Sequence, residues 1–239
     1  MHCLILAGGL GTRLGRLTAT VPKNLVSVLG QPFASHLLLL LARSGVTRVT
    51  YCIGHLGDQI RSFVGDGSRW GLAVDYVEDG DTLLGTAGAL RAAVDQGVVG
   101  DAFFVTYGDS YLPVNYRKIW QAFSSSDADA MMTVVNNRGL WDKSNVDMSN
   151  GRITVYAKAG QQGHTDDMGY IDFGLLCMTG RFVEDAIPPG QILNLHDVLN
   201  KLSLAGQLAG LEVTERFYEA GSVSGICDLE RYLSSIPSK

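Results

Sequence analysis

Leu6-Ala7-Gly8-Gly9-Leu10-Gly11-Thr12-Arg13-Leu14 is the stretch whose reading decides the fold, and Lys23 follows it inside Val21-Pro22-Lys23. The run His2 to Leu6 before it is short and apolar, with strand character. Glycine at 8, 9 and 11 lets the backbone turn its N–H groups inward, where a Cβ would obstruct a polyphosphate. Arg13 adds a planar fork of donors, and Lys23 a mobile point charge behind a rigid proline. The stretch reads as an anion cradle fed by a strand.

Two familiar glycine motifs are excluded. A dinucleotide fingerprint needs a third glycine where Leu14 stands, and a Walker loop needs Gly-Lys-Ser/Thr, which is absent. What remains, Gly-Gly-x-Gly-Thr-Arg with a later Pro-Lys, resembles the sugar-1-phosphate nucleotidyltransferases, also called nucleotide-sugar pyrophosphorylases. An incidental glycine turn beside a surface arginine is the blander reading; the motif's length and its place after a strand weigh against it.

At 239 residues the chain can bury a substantial core as one α/β domain. A net charge of -5 and a pI near 5.5 argue against nucleic acid or an anionic membrane as partner. Any anionic ligand is therefore held by local charges. Cys3, Cys52, Cys177 and Cys227 lack CxxC spacing, and three lie in apolar runs, so they read as buried reduced thiols. The histidines show no i, i+4 spacing for zinc, and there is no Gly-x-Ser-x-Gly elbow. The first residues run straight into the strand, and Leu37 to Ala42, the longest purely apolar run, is too short to cross a bilayer. The expected location is the cytoplasm.

In chain order, a leucine-rich helix is expected from Pro32 to Ser44, stopped by Gly45, and its leucines hint at association with a second copy. A strand over Val46 to Ile53, a helix over Asp58 to Val64 and a strand over Leu72 to Val77 follow. A helix of small residues begins near Gly85 and runs to about Gln96. The buried strand Ala102 to Tyr107 follows it. This alternation implies an α/β fold: a mixed, mostly parallel sheet flanked by helices, with ligands beyond the carboxyl ends of its strands. Further on, a helix over Val114 to Phe123 and strands over Ala130 to Val135, Arg152 to Tyr156 and Tyr170 to Met178 are expected. An amphipathic helix over Ile226 to Leu233 closes the chain.

The resemblance implies a Rossmann-like nucleotidyltransferase fold with a small sugar-binding lobe. Residues 1–112 would be the nucleotide-binding half of a single domain and 113–239 the sugar-phosphate-binding half. It places Leu6, Ala7, Gly8, Gly9, Gly11, Thr12 and Arg13 on the triphosphate, and Gly85, Thr86 and Ala87 against the base. Close helix packing is the other reading of Gly85 and Gly88. Asp109, in Gly108-Asp109-Ser110 after a buried strand, matches the family's magnesium ligand. Glu219, in Tyr218-Glu219-Ala220-Gly221-Ser222, stands where the family commonly has aspartate as second ligand. It is one methylene longer and would have to be set back. Tyr107, Lys158, Tyr170 and Asp172 are the candidates for the sugar phosphate, Lys158 as the grip on its phosphate.

The reaction so implied is attack by a sugar 1-phosphate oxygen on the α-phosphorus of a nucleoside triphosphate, with magnesium between the substrates. Arg13, Lys23 and Asp109 would be catalytic. The chain length and the Tyr-Gly-Asp-Ser-Tyr and Tyr-Glu-x-Gly-Ser sequences are similar to short bacterial guanylyltransferases, favouring GTP with a heptose or mannose 1-phosphate. Other readings stay open. They are a uridylyltransferase for N-acetylmuramate or hexose 1-phosphate, and a choline-phosphate cytidylyltransferase with Trp141, Tyr170 and Asp172 as its box. A sensing subunit without catalysis and a glycosyltransferase using Asp127-Ala128-Asp129 complete the set.

Overall fold

The computed structural model describes residues 1–9, 11, 20–80, 82–141 and 143–236. Thr12 and Arg13 lie outside the described residues. Strand β1 (His2–Leu6) leads to two-residue strands β2 (Ser27–Val28) and β3 (Gln31–Pro32), which pair with each other, and then to helix α1 (Phe33–Arg43). The alternation expected from the sequence follows as β4 (Arg48–Ile53), α2 (Gly57–Val64), β5 (Ala73–Glu78), α3 (Gly85–Asp95) and β6 (Ala102–Tyr107). After β7 (Ser110–Tyr111) and α4 (Tyr116–Ser124) come β8 (Ala130–Asn136), β9 (Val146–Ser149), β10 (Arg152–Tyr156) and β11 (Tyr170–Thr179). Helices α5 (Gly180–Ala186) and α6 (Leu195–Leu204), strands β12 (Ala209–Val213) and β13 (Tyr218–Glu219) and helix α7 (Val223–Ser235) complete the chain.

Nine strands form one sheet in the order β5-β4-β1-β6-β11-β8-β12-β10-β9. Following the pairings across it, β10 and β11 run against the other seven, so the sheet is mixed: parallel through β5-β4-β1-β6 and at β8-β12, antiparallel at its other joins. The second half extends the same sheet. Apolar side chains leave both faces: Val49, Tyr51 and Ile53 of β4 enter one core with α1 and α4, while Cys52 enters the other with α3 and α6. This is the double burial that the parallel part of the sheet demands.

Helix α1 buries Leu37, Leu38 and Leu41 and leaves Leu39 exposed, so most of its leucines belong to the core. Helix α7 starts three residues earlier than its apolar pattern suggests, because the Ser222 hydroxyl accepts from Gly225 N–H at 3.0 Å and caps it. Cys227 sits on the outer side of that helix and is exposed, unlike Cys3, Cys52 and Cys177, which are buried as expected. Among the described residues no helix is long and apolar enough to cross a membrane.

His2 is a buried polar residue at the start of β1, its Nε2 2.9 Å from Thr50 Oγ1 on β4. Burial, helped by the Arg48 charge, lowers its pKa to about 4. The unfolded chain therefore takes up the proton first as pH falls from 6.5, and stability drops with it. Urea unfolding at pH 7 and pH 5 should show the wild type losing roughly 2 kcal/mol more than His2→Gln. Equal losses would remove His2 as the source.

Candidate active site

Parallel neighbours β4, β1 and β6 end together, with Leu6 opposite both Cys52 and Tyr107. Ala7 N–H donates to Cys52 C=O at 2.8 Å and Gly108 N–H to Leu6 C=O at 2.9 Å, so the loops after β1 and β6 leave the sheet side by side. They open into a cleft of about 800 Å³. Leu6, Ala7, Gly8 and Gly9 form one wall of it. Close approach explains Gly108, where an added Cβ would lie 3.0 Å from Ala7 Cβ. Among the described residues, nothing lies within 4 Å of that position on Gly9, which so presents open backbone.

The charged centre is assembled from three distant segments. Asn24, nearly fully buried, donates from Nδ2 to Gly108 C=O at 2.6 Å and docks the short 3-10 turn Lys23–Leu25 against the end of β6. Lys23 Nζ then lies 3.2 Å from Asp109 Oδ2. From the other end of the chain, β13 pairs antiparallel with β7, setting Glu219 opposite Ser110, and Ala220 N–H donates to Asp109 C=O at 2.8 Å. A Cβ on Gly221 would fall 2.8 Å from Glu219 Oε2, 2.9 Å from Asp109 Oδ2 and 3.7 Å from Lys23 Nζ. The glycine thus leaves a space bordered by two carboxylates, oxygen donors of the kind magnesium takes. The Glu219 oxygens also accept from Gly221 N–H and the Ser222 hydroxyl, which folds the longer side chain back over its own loop.

Along the second wall, Gly85 takes a φ of +72°, and a Cβ there would meet Leu193 C=O at 2.5 Å. Thr86 Oγ1 accepts from Leu195 N–H at 2.7 Å, holding the first turn of α6. Gly85 and Thr86 line the cleft. Ala87 does not: it is fully buried, and its N–H goes to Leu193 C=O at 2.9 Å.

The far wall carries Tyr107, Lys158 and Asp172. Asp172 sits at a register break in β11, where Gly174 has a φ of +92°. It accepts from Tyr156 Oη and Gly174 N–H, each at 2.9 Å. Burial raises its pKa, against the pull of those hydrogen bonds and of Lys158. Tyr156 packs edge-on against His196, ring centroids 4.4 Å apart. His196 is hydrogen-bonded through Nε2 to Gln161, and its buried Nδ1 has no partner among the described residues. Burial and then the Lys158 charge lower its pKa, favouring the neutral ring.

The profile of the family described as nucleotidyl transferase matches residues 2–139, more than half the chain. The chain belongs to that family. A nucleotidyltransferase of low-salt glycan biosynthesis, Agl11 of Haloferax volcanii, is 36% identical over 132 residues, covering 54% of this chain and 36% of that protein. The N-acetylmuramate alpha-1-phosphate uridylyltransferase of Neisseria meningitidis is 34% identical over 125 residues, covering 52% and 54% respectively. The chain thus spans about a third to a half of the length of these curated relatives. Its fold matches the crystal structure of HddC from Yersinia pseudotuberculosis complexed with GMP-PN, with TM-score 0.80, 26% identity, and 97% and 99% of the two chains covered.

In this member of the family, most of the residues singled out from the sequence meet at one cleft, including Lys23, Asp109, Lys158, Asp172 and Glu219. Tyr170 is a correction: it does not line the cleft, and its hydroxyl points to Glu212 at 3.4 Å on β12. Trp141 is off the cleft too, stacked at a tilt against Phe217, so the box for a quaternary ammonium is not formed from Trp141, Tyr170 and Asp172. Gly11, described and in a left-handed conformation, is not among the lining residues. The sequence reading missed Asn24, Asp79, Gln161 and His196, which all line the cleft. Asn24, next to Lys23, was the one of these with a signal beside it.

Thr86→Val keeps the shape of the side chain but strands the buried Leu195 N–H. Stability should fall by about 1–3 kcal/mol. The Leu195 amide should also exchange with deuterium distinctly faster. Unchanged stability and exchange would show that Thr86 does not hold α6.

Proposed function

We propose that this chain transfers GMP from GTP to a heptose or mannose 1-phosphate, releasing pyrophosphate, with magnesium as cofactor. The observation that carries the transfer reading is the meeting of Lys23, Asp109 and Glu219 around Gly221, in the cleft that Gly8 and the open backbone of Gly9 also line. Family membership supports nucleotidyl transfer. The likeness to HddC complexed with GMP-PN, over nearly all of both chains, supports a guanine nucleotide. Other relatives are named as uridylyl-, thymidylyl- and guanylyltransferases.

The chemistry asks little proton transfer of the protein. A phosphate monoester with a second pKa of about 6 is already largely dianionic at neutral pH. Its oxygen attacks the α-phosphorus, the bond to the bridging oxygen breaks, and pyrophosphate leaves with that electron pair. Positioning and charge neutralisation supply the acceleration. The glycine loop receives the triphosphate, Lys23 offsets charge at the α-phosphate, and Lys158 holds the incoming phosphate. Arg13 is assigned to the leaving pyrophosphate. Asp109 and Glu219 would hold magnesium, which when bound neutralises phosphate charge and templates the two substrates. Tyr107 and Asp172 face the acceptor.

Pyrophosphate release, measured with magnesium across the common nucleoside triphosphates and a panel of sugar 1-phosphates plus phosphocholine, tests this reading. Release should require GTP together with a heptose or mannose 1-phosphate, and Gly221→Ala should cut it at least tenfold while the protein stays folded. Release with a pyrimidine triphosphate alone would overturn the choice of nucleotide. Silence across the panel would overturn transfer itself.

A further inference from the structure

His196 takes no part in these steps, yet it reaches the turn that carries Lys158. Helix α6 lays one face along the end of β10 and the loop beyond it, with His196, Asn200 and Ser203 at helical spacing. Ser203 Oγ accepts from Tyr156 N–H at 3.0 Å, and Asn200 Nδ2 donates to Tyr156 C=O at 2.8 Å and to Gln162 C=O at 3.4 Å. His196, on the same face, bonds through Nε2 to the Gln161 side chain. Lys158 itself stands on an exposed turn. Gln161 N–H donates to Lys158 C=O at 2.9 Å, Gly160 takes a φ of +83°, and Lys158 N–H donates to Gln161 Oε1 at 2.8 Å.

Those bonds fix the proton on His196. A backbone N–H only donates, so the Gln161 atom that Lys158 meets is the carbonyl oxygen, and that oxygen only accepts. Nε2 of His196 therefore carries the hydrogen. Burial and the Lys158 charge, against the pull of Asp197, favour the neutral ring, with Nδ1 bare. We propose that His196 is a positioning residue for Lys158: its Nε2–H holds the Gln161 carbonyl, which holds the Lys158 N–H and so sets where the lysine side chain leaves the turn. A lysine side chain is long and flexible, so a fixed origin narrows the region its ammonium searches. This inference rests on the reading that Lys158 grips the incoming phosphate.

Nitrogen chemical shifts of His196 and deuterium exchange of the Lys158 amide test the relay without any substrate. In the wild type the shifts should report hydrogen on Nε2 and none on Nδ1; the opposite tautomer would overturn the proposal. His196→Phe keeps a flat ring against Tyr156 but has no donor, so the Lys158 amide should exchange at least fivefold faster. His196→Gln offers an Nε2–H the same number of bonds from Cβ and should keep wild-type exchange. An unmoved Lys158 amide in folded His196→Phe would remove the relay, and equal acceleration in both variants would assign the effect to packing alone. A thermal melt reports folding; if His196→Phe is unfolded, the wild-type tautomer decides. In turnover, the KM for the sugar 1-phosphate should rise at least fivefold in His196→Phe and recover in His196→Gln, with the nucleotide KM unmoved. A rise in Lys158→Ala without one in His196→Phe would overturn the positioning role. An unchanged acceptor KM in Lys158→Ala would instead sink the phosphate grip and leave the relay standing.

Discussion

The site depends on the pairing of two very short strands, Ser110–Tyr111 and Tyr218–Glu219. Asp109 follows directly from the central strand β6, whereas Glu219 arrives from the far end of the chain. The ribbon, reinforced by the Ala220 N–H to Asp109 C=O bond, closes that long loop and sets the two carboxylates facing one space. Two like charges so close repel unless something neutralises them. Lys23 does part of this at Asp109, and loop donors do part at Glu219. Around the ribbon, Tyr232 of α7 stacks on Tyr218 and meets Tyr111 edge-on, so aromatic packing holds the polar centre in place.

The cleft is otherwise polar on terms set by neighbours. Asp172 is buried but answered by Tyr156 and Gly174, and His196 is favoured in its neutral form by burial beside Lys158. Asp79 accepts from the Leu84 N–H, while its Oδ1 has no partner among the described residues. The walls are tied together: Thr86 holds the first turn of α6, and α6 carries His196 beside Tyr156. A change in the Gly85–Thr86 turn is therefore felt at the wall that carries His196 and Tyr156.

The fold of the first half was legible because its strands and helices carry clean periodicity and glycine stops, and β1, β4, β5 and β6 all fall where the pattern puts them. Strand β9 and the stretch from α5 to β12 were not read. Val146–Ser149 is only four residues long and α5 only seven, too short to show a clear period, and the Pro188-Pro189-Gly190 break between α5 and α6 marks a turn without specifying the elements on either side. For the site, Lys23, Asp109 and Glu219 were legible from local motifs. Gln161 and His196 were not, since nothing near them in sequence marks a pocket; only the packing of α6 on β10 brings them in. Ala87 and Tyr170 misled because a motif specifies backbone course, while the facing of each side chain is decided by its neighbours, here Leu193 and Glu212.

Asp109 and Glu219, brought together by the ribbon and the Ala220 bond, are proposed to form one cation site. Manganese binding followed by electron paramagnetic resonance, on the wild type, Asp109→Asn and Glu219→Gln, tests it most directly. One wild-type site is expected, which either substitution weakens at least tenfold. Wild-type manganese affinity in Glu219→Gln would contradict it, leaving Asp109 to act without its distant partner.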